Sequence, residues 1–199
     1  MNSIQFSEPR NLAIYMQQAL RPISKRYYYS SYVNSLPLKP TDRIIEIGSG
    51  IGAMAELLAQ KVPDGQLTCV DISRRYLSTA TQNLRKYSNA ILVNGNLSQL
   101  NFNSASYDAI NIHYVLHDVP KANQLKMINE MYSLLRPGGK VYLREPLKDS
   151  HGMPSEEVEK LFLDAGFFQL YQNESKIRII GNVVTACYAK IYAIKFFLV

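Results

Sequence analysis

The stretch Arg43-Ile44-Ile45-Glu46-Ile47-Gly48-Ser49-Gly50-Ile51-Gly52-Ala53 reads as a strand, a glycine loop and the start of a helix. Arg43 to Ile47 is a short β-branched run of the kind that forms a buried strand, and Gly48 ends it. A helical pattern follows from Gly52 to Lys61. Glycine at 48 and 50 permits a tight turn and lets a ligand approach bare backbone, while the opening helix offers unpaired N–H groups and the positive end of its dipole. The loop is therefore expected to bind a cofactor. The glycines alone do not say which, because Gly48, Gly50 and Ala53 also satisfy the dinucleotide fingerprint G-x-G-x-x-G/A.

Two carboxylates narrow the choice. Asp71 ends a second predicted strand, Gln66 to Asp71, 23 positions beyond Gly48. A carboxylate there accepts both hydroxyls of a ribose, which suits any adenosine cofactor. Glu46 discriminates: two residues before the first glycine, it would repel a pyrophosphate and favour a cofactor bearing an ammonium or other cationic centre. The plainer alternative is that Glu46 caps a loop.

Outward from this stretch, strands and helices alternate. From Pro9 to about Val33, Leu12, Tyr15, Met16, Ala19, Leu20, Ile23 and Tyr27 recur at helical spacing, which predicts one or two amphipathic helices interrupted near Pro22. Ser73 is placed to cap a helix running to about Tyr87. Strands are expected at Ala90–Val93, Tyr107–Ile112 and Lys140–Glu145, with helices at about 121–135 and 155–165. Two extended runs, Phe167–Gln172 and Val183–Ile194, follow without an intervening helix. The pattern predicts an α/β fold, doubly wound, with a mostly parallel sheet and an antiparallel strand from the final hairpin. The apolar tail Phe196-Phe197-Leu198-Val199 reads as the end of the last strand, with a homodimer contact as the alternative.

Composition sets the bounds. With 199 residues and 47% hydrophobic content, one sizeable core is affordable and two ordinary domains are not. Aromatic residues at 11% exclude a disordered chain, and 10 Gly with 9 Pro exclude a collagen-like one. No run approaches the roughly 18 apolar residues of a membrane span. The start, Met1 to Glu8, lacks a basic segment followed by an apolar one, so a cytoplasmic location without a membrane partner is expected. Cys69 and Cys187 sit in apolar runs and read as buried thiols; His113, His117 and His151 have no cysteine partners at zinc spacing, so no metal is expected. The formal charge of +6 raises the question of an anionic partner, but the basic residues are scattered and no nucleic-acid module accompanies them.

Taken together, these motifs resemble those of the class I S-adenosylmethionine-dependent methyltransferases, the seven-stranded Rossmann-like family. Glu46 to Gly52 matches its glycine motif and Val70-Asp71-Ile72-Ser73 its acidic second-strand end. Tyr107 to Pro120 resembles the fourth-strand motif, Leu134 to Leu143 the passage into the fifth strand, and Leu163-Asp164-Ala165-Gly166-Phe167 the approach to the last two. The resemblance covers 43–146 firmly and 154–193 more loosely. One departure stands out: where the family often has an acidic residue after the third strand, Gly95 is followed by Asn96, whose amide oxygen still accepts a hydrogen bond.

The resemblance implies a seven-stranded domain over 43–199, a helical lid over 1–42, and S-adenosylmethionine as cofactor. It implies cofactor contacts from Glu46, Gly48, Ser49, Gly50 and Gly52, and further along from Asp71, Ile72, Asn96, Leu97 and Asn111. The reaction it implies is in-line attack on the sulfonium methyl by a hydroxyl, amine or carbon of a small-molecule acceptor. Such transfer chiefly requires alignment and exclusion of water, with a base where the acceptor must lose a proton. His117, followed by Asp118, and His113 stand where such a base would be; the plainer role for either is to orient a loop. Among Tyr27, Tyr28, Tyr29 and Tyr32, at least one is expected to line the pocket. A nicotinamide-dependent oxidoreductase and a non-catalytic cofactor-binding or RNA-associated protein are the alternatives, with nucleic acid the less expected partner.

Overall fold

The computed structural model describes residues 7–147, 152–178 and 180–191. A seven-stranded sheet is built from β1 (Arg43–Ile47), β2 (Gln66–Asp71), β3 (Ala90–Asn94), β4 (Tyr107–His113), β5 (Leu135–Pro146), β6 (Phe168–Ile177) and β7 (Gly181–Ala189). Their order is β3-β2-β1-β4-β5-β7-β6. The first five strands are parallel, and β7 runs antiparallel to both β5 and β6. The helices are α1 (Asn11–Ser24), α2 (Ser30–Ser35), α3 (Ala53–Lys61), α4 (Arg74–Leu84), α5 (Lys121–Leu134) and α6 (Ser155–Asp164). This is the seven-stranded, mostly parallel architecture expected. The end of the final run, the tail Phe196–Val199 and His151 lie outside the described residues.

Because side chains alternate across a strand, each strand feeds two cores. Ile45, Ile47, Ile110, Ile112, Val141 and Leu143 pack towards α5 and α6, with Ile128, Met131 and Phe162. Ile44, Leu67, Cys69, Ala109, Tyr142 and Cys187 pack on the other face with α3, α4 and α2. Register carries this alternation across the sheet: Glu46 sits beside Cys69 and Asn111, Asn111 beside Tyr142, and His113 beside Arg144. Glu46, Asp71, Asn111, His113 and Arg144 therefore share one face, the face covered by α2 and α3. Glu145, one residue on, belongs to the other.

Pro22 does not interrupt α1. It lies inside the helix, and the irregularity falls three residues later, as a π-helical turn at Lys25–Tyr29. There the Lys25 carbonyl accepts from the Ser30 N–H and from Ser30 Oγ at 2.6 Å. The segment as a whole meets the domain in two ways. Tyr32, Val33 and Leu36 are buried in the core with α3, whereas no residue of α1 is buried. Side-chain polar contacts fasten α1: Gln18 pairs with Asn83 on α4, and Arg21 with Glu56 on α3 at 2.8 Å.

At the other end of the site half, α4 begins as expected, Ser73 Oγ accepting the Tyr76 N–H at 3.0 Å. It ends at Leu84, three residues early, because Tyr87 turns back to bond the Leu84 carbonyl. The Pro137-Gly138-Gly139 turn ends α5 but is absorbed into β5 as a bulge, with Gly138 at φ 81°. Among the described residues no helix is long and apolar enough to cross a membrane.

Candidate cofactor and acceptor site

The carboxyl end of β1 carries the glycine loop. Gly48, Gly50 and Gly52 all have positive φ, of 73°, 53° and 79°. At Gly48 the requirement is also steric: a Cβ would lie 2.2 Å from Val115 Cγ2, so the loop after β4 sits directly on bare backbone. At Gly50 a Cβ would meet nothing within 4 Å, which leaves open space above this peptide. The Gly48 and Ser49 N–H groups bond the Val70 carbonyl, and the Gly50 N–H is taken by Asp71 at 2.7 Å.

Asp71 also accepts the Ser73 N–H, at 2.8 Å. Burial raises its carboxyl above the usual range, against the pull of those two N–H groups. Two bonds leave lone pairs free on both oxygens. The amino-terminal segment reaches the same corner: the Glu8 carboxylate accepts from Ser73 Oγ and from the Arg74 N–H. Ile72, next in line, is largely exposed.

Glu46 stands apart in its chemistry. It is buried, its Oε2 has no hydrogen-bond partner, and burial together with the Asp71 charge pushes its carboxyl up to about 8. Ser49 Oγ, on the loop beside it, is also unpartnered. Buried acceptors of this kind are costly unless something supplies a donor or a positive charge.

Beyond Glu46 on the same face lies an aromatic cluster. Tyr29 and Tyr32 approach His113 with ring centroids at 5.5 and 5.2 Å, and Tyr114 at 4.0 Å. The Arg144 guanidinium covers Tyr32 at 4.3 Å and is held by Thr185 at 3.0 Å. Tyr114 adopts φ 58°, a left-handed conformation uncommon for a bulky residue and often found at functional sites. His113 Nε2 and Tyr114 OH are buried without partners. Burial and the Arg144 charge hold the His113 imidazole at about 3, so it is neutral at physiological pH. Asn111 Oδ1 accepts from Tyr32 OH at 3.0 Å and its Nδ2 donates to Met54 Sδ at 3.1 Å. It ties α2 and α3 to the sheet.

The remaining predicted residues lie on the loops after β3, next to Asp71, and after β4. Asn96 Oδ1 caps the short turn Leu97–Gln99, accepting the Ser98 N–H at 3.4 Å, and Leu97 is packed in the core. His117 is on the opposite face, its Nδ1 2.6 Å from Glu145 Oε2. Burial lowers its affinity for a proton, but the Glu145 bond and charge, with Asp118, raise it above the usual value. Glu145 is completely buried and also accepts the Val115 and Leu116 N–H groups, both at 2.8 Å. Together they pin the loop that sits on Gly48. His117 and Asp118 border a separate cleft of about 500 Å³ with Gln124, Met153 and Glu157. Sequence reasoning missed Glu145, Arg144 and Glu8. The first two become visible only when the β4–β5 register is known, and Glu8 sits in an irregular segment without periodicity.

Comparison with known proteins finds methyltransferases. Residues 44–139 match the family described as "Methyltransferase domain", a span that holds the glycine loop, Asp71, the β4 cluster and the start of β5. That match covers just under half of the chain, and the sheet order with its antiparallel β7 is the class I S-adenosylmethionine-dependent methyltransferase fold. A demethylmenaquinone methyltransferase of Lactobacillus johnsonii is 28% identical over 152 residues, covering 73% of this chain and 58% of that relative. The chain thus spans little more than half of the relative it matches. In fold, the chain superposes on an S-adenosylmethionine-dependent methyltransferase from Aquifex aeolicus with a TM-score of 0.72 at 16% identity, covering 89% of this chain and 98% of the other. The N-methyltransferase NodS from Bradyrhizobium japonicum, solved with S-adenosyl-L-homocysteine, gives a TM-score of 0.67 at 19% identity and 87% coverage of each.

Proposed function

We propose that this chain transfers the methyl group of S-adenosylmethionine to a hydroxyl, amine or carbon of a small, flat acceptor. The observation that carries the reading is Glu46: a buried carboxylate with an unpartnered oxygen, at the end of β1, beside open space over Gly50. A cationic amino-acid end with N–H donors is what such a group requires. Ser49 Oγ adds a second unpartnered atom there, and the free lone pairs of Asp71 suit ribose hydroxyls. These residues fit the cofactor. When bound, it supplies an electrophilic methyl on a sulfonium.

The chain's own contribution is placement. Tyr29, Tyr32, His113 and Tyr114 form an aromatic wall next to Glu46, which favours a planar acceptor and shields the transfer from water. Similarity to a relative named for demethylmenaquinone, a flat quinone, supports the same class. His113 is neutral, so it orients an acceptor through Nε2 and does not depend on taking up a proton. His117 and Glu145 act at one remove, holding the loop that carries Val115 over Gly48. The segment 1–42 serves as a lid: Glu8 closes the Asp71 corner, and the Tyr32–Asn111 bond closes the acceptor side.

Calorimetry with S-adenosylhomocysteine, followed by methyl transfer from labelled cofactor to a panel of phenols, quinols and amines, tests this. Saturable binding and transfer to a planar member are expected. Absence of binding to either form of the cofactor would overturn it.

A further inference from the structure

Helix α1 is mounted with its polar side inward. Leu12, Tyr15, Met16, Leu20, Ile23 and Tyr27 are each at least half exposed, from 51% for Leu20 to 70% for Tyr15. At 100° per residue Leu12, Tyr15, Met16, Leu20 and Ile23 fall within a single arc of α1, while Gln17, Gln18 and Arg21 fall on the opposite one; Lys25 and Tyr27 stand in the π-helical turn that continues it. That second arc is where α1 meets the domain, through Tyr76, Asn83 and Glu56. A surface helix ordinarily buries its apolar stripe and shows water its polar side. Here the side-chain hydrogen bonds and ion pairs to the domain come from this arc, Ile14 is the half-buried apolar residue on it, and an apolar ridge of about three turns, Leu12 to Ile23, faces outward.

The charge of the segment selects the partner. Residues 9–29 carry no Asp or Glu; Arg21 and Lys25 pair with Glu56 on the domain side, which leaves Arg10 and Arg26 exposed, one towards each end of the ridge. Two copies meeting ridge to ridge would bring like charge together, whereas an anionic lipid surface matches both the charge and the apolar stripe. Tyr15 on the ridge and Tyr27 just beyond it are exposed side chains suited to the headgroup boundary. The structure assigns α1 as an interfacial helix that lays this ridge on an anionic membrane surface while the domain stays in water. The sequence-based expectation of no membrane partner addressed spans; a helix lying in the interface plane needs none.

The chain contains no tryptophan, which gives a clean reporter. In Leu12→Trp, emission is expected to shift to the blue on adding vesicles of equimolar phosphatidylglycerol and phosphatidylcholine, and little with phosphatidylcholine alone or at high salt. In flotation, the triple variant Leu12→Gln, Met16→Gln, Leu20→Gln is expected to bind anionic vesicles about tenfold or more weakly, with its melting temperature unchanged because all three sites are exposed. No blue shift with anionic vesicles, or equal flotation of wild type and variant, would overturn the assignment. So would a concentration-dependent dimer that the triple variant abolishes without any vesicle binding by the wild type, which would give the ridge to a second copy.

Discussion

Replacing Glu46 by glutamine separates the energetic cost of this residue from its use. Its carboxyl titrates at about 8 in the folded chain against an ordinary 4.5, with burial the larger cause and Asp71 the smaller. The folded state therefore holds a proton that the unfolded state has released. Stability contributed at this position falls as pH rises from 4.5 towards 8 and levels off above that. At about 1.4 kcal/mol per pH unit, the loss accumulated by pH 7 is about 3 kcal/mol. The amide is neutral at every pH and nearly the same shape, so Glu46→Gln escapes this loss. Its melting temperature at pH 7 is expected to rise by about 5–10 °C over wild type, a gap that closes near pH 4.5. Binding moves the other way. Above pH 8, where the wild-type carboxyl has released its proton, exchanging a charged acceptor for a neutral one removes about 1.5–3 kcal/mol from a charge-assisted hydrogen bond, which weakens S-adenosylhomocysteine about tenfold to a hundredfold. Scanning calorimetry across pH and titration calorimetry with the product measure the two effects. A variant less stable than wild type at pH 7, or one that binds the product as tightly above pH 8, would refute the reasoning.

Other outcomes follow from the same geometry. Gly48→Ala is expected to cost about 2–4 kcal/mol, from the left-handed backbone and the Val115 contact, and Val115→Ala in the same chain recovers part of the melting temperature. Gly50→Ala, with open space around it, should cost about 1 kcal/mol of stability yet lose a disproportionate share of cofactor affinity by calorimetry. Glu145→Gln should destabilise by about 2–4 kcal/mol in chemical denaturation, since it weakens a buried acceptor of several N–H groups. The stability advantage of wild type over His117→Ala is expected to be full below pH 6.5 and to decline as pH rises through the raised value in the fold, because the protonated ring is the one that Glu145 favours. A pH-independent difference would exclude that pairing as its source. His113→Phe is expected to lower kcat/KM for the acceptor while leaving product affinity within about twofold, as a residue of the acceptor wall does.

Much of this was legible in the chain because it is local. β-branched runs ending in glycine place β1 and its loop, Ser73 announces the start of α4, and the two extended runs announce the β6–β7 hairpin. Glu46 and Asp71 could be singled out because a strand end and a following loop are adjacent in sequence. Other features depend on contacts between distant segments. Asn111 reads as a residue that lines the cofactor pocket, and only the fold shows that Tyr32 and Met54, far away in sequence, bond its amide. His113 and His117 look equivalent four residues apart, yet they fall on opposite faces of the sheet. Proline at 22 signals a break that does not occur, since side-chain contacts to α3 and α4 hold the helix on either side of it.

What the amino-acid order determined by itself is the succession of elements, the glycine loop and the sign of the charge at its entrance, all set by backbone preferences and patterns within a few residues. What the tertiary structure decided is which side chains share a face. Register across β1, β4, β5 and β7 gathers Glu46, His113 and Arg144 under the tyrosines and sends Glu145 to the other side. The orientation of α1 was likewise beyond reach of its periodicity. The pattern reveals that one side is apolar, but only the contacts of Gln18 and Arg21 with the domain determine that this side faces out.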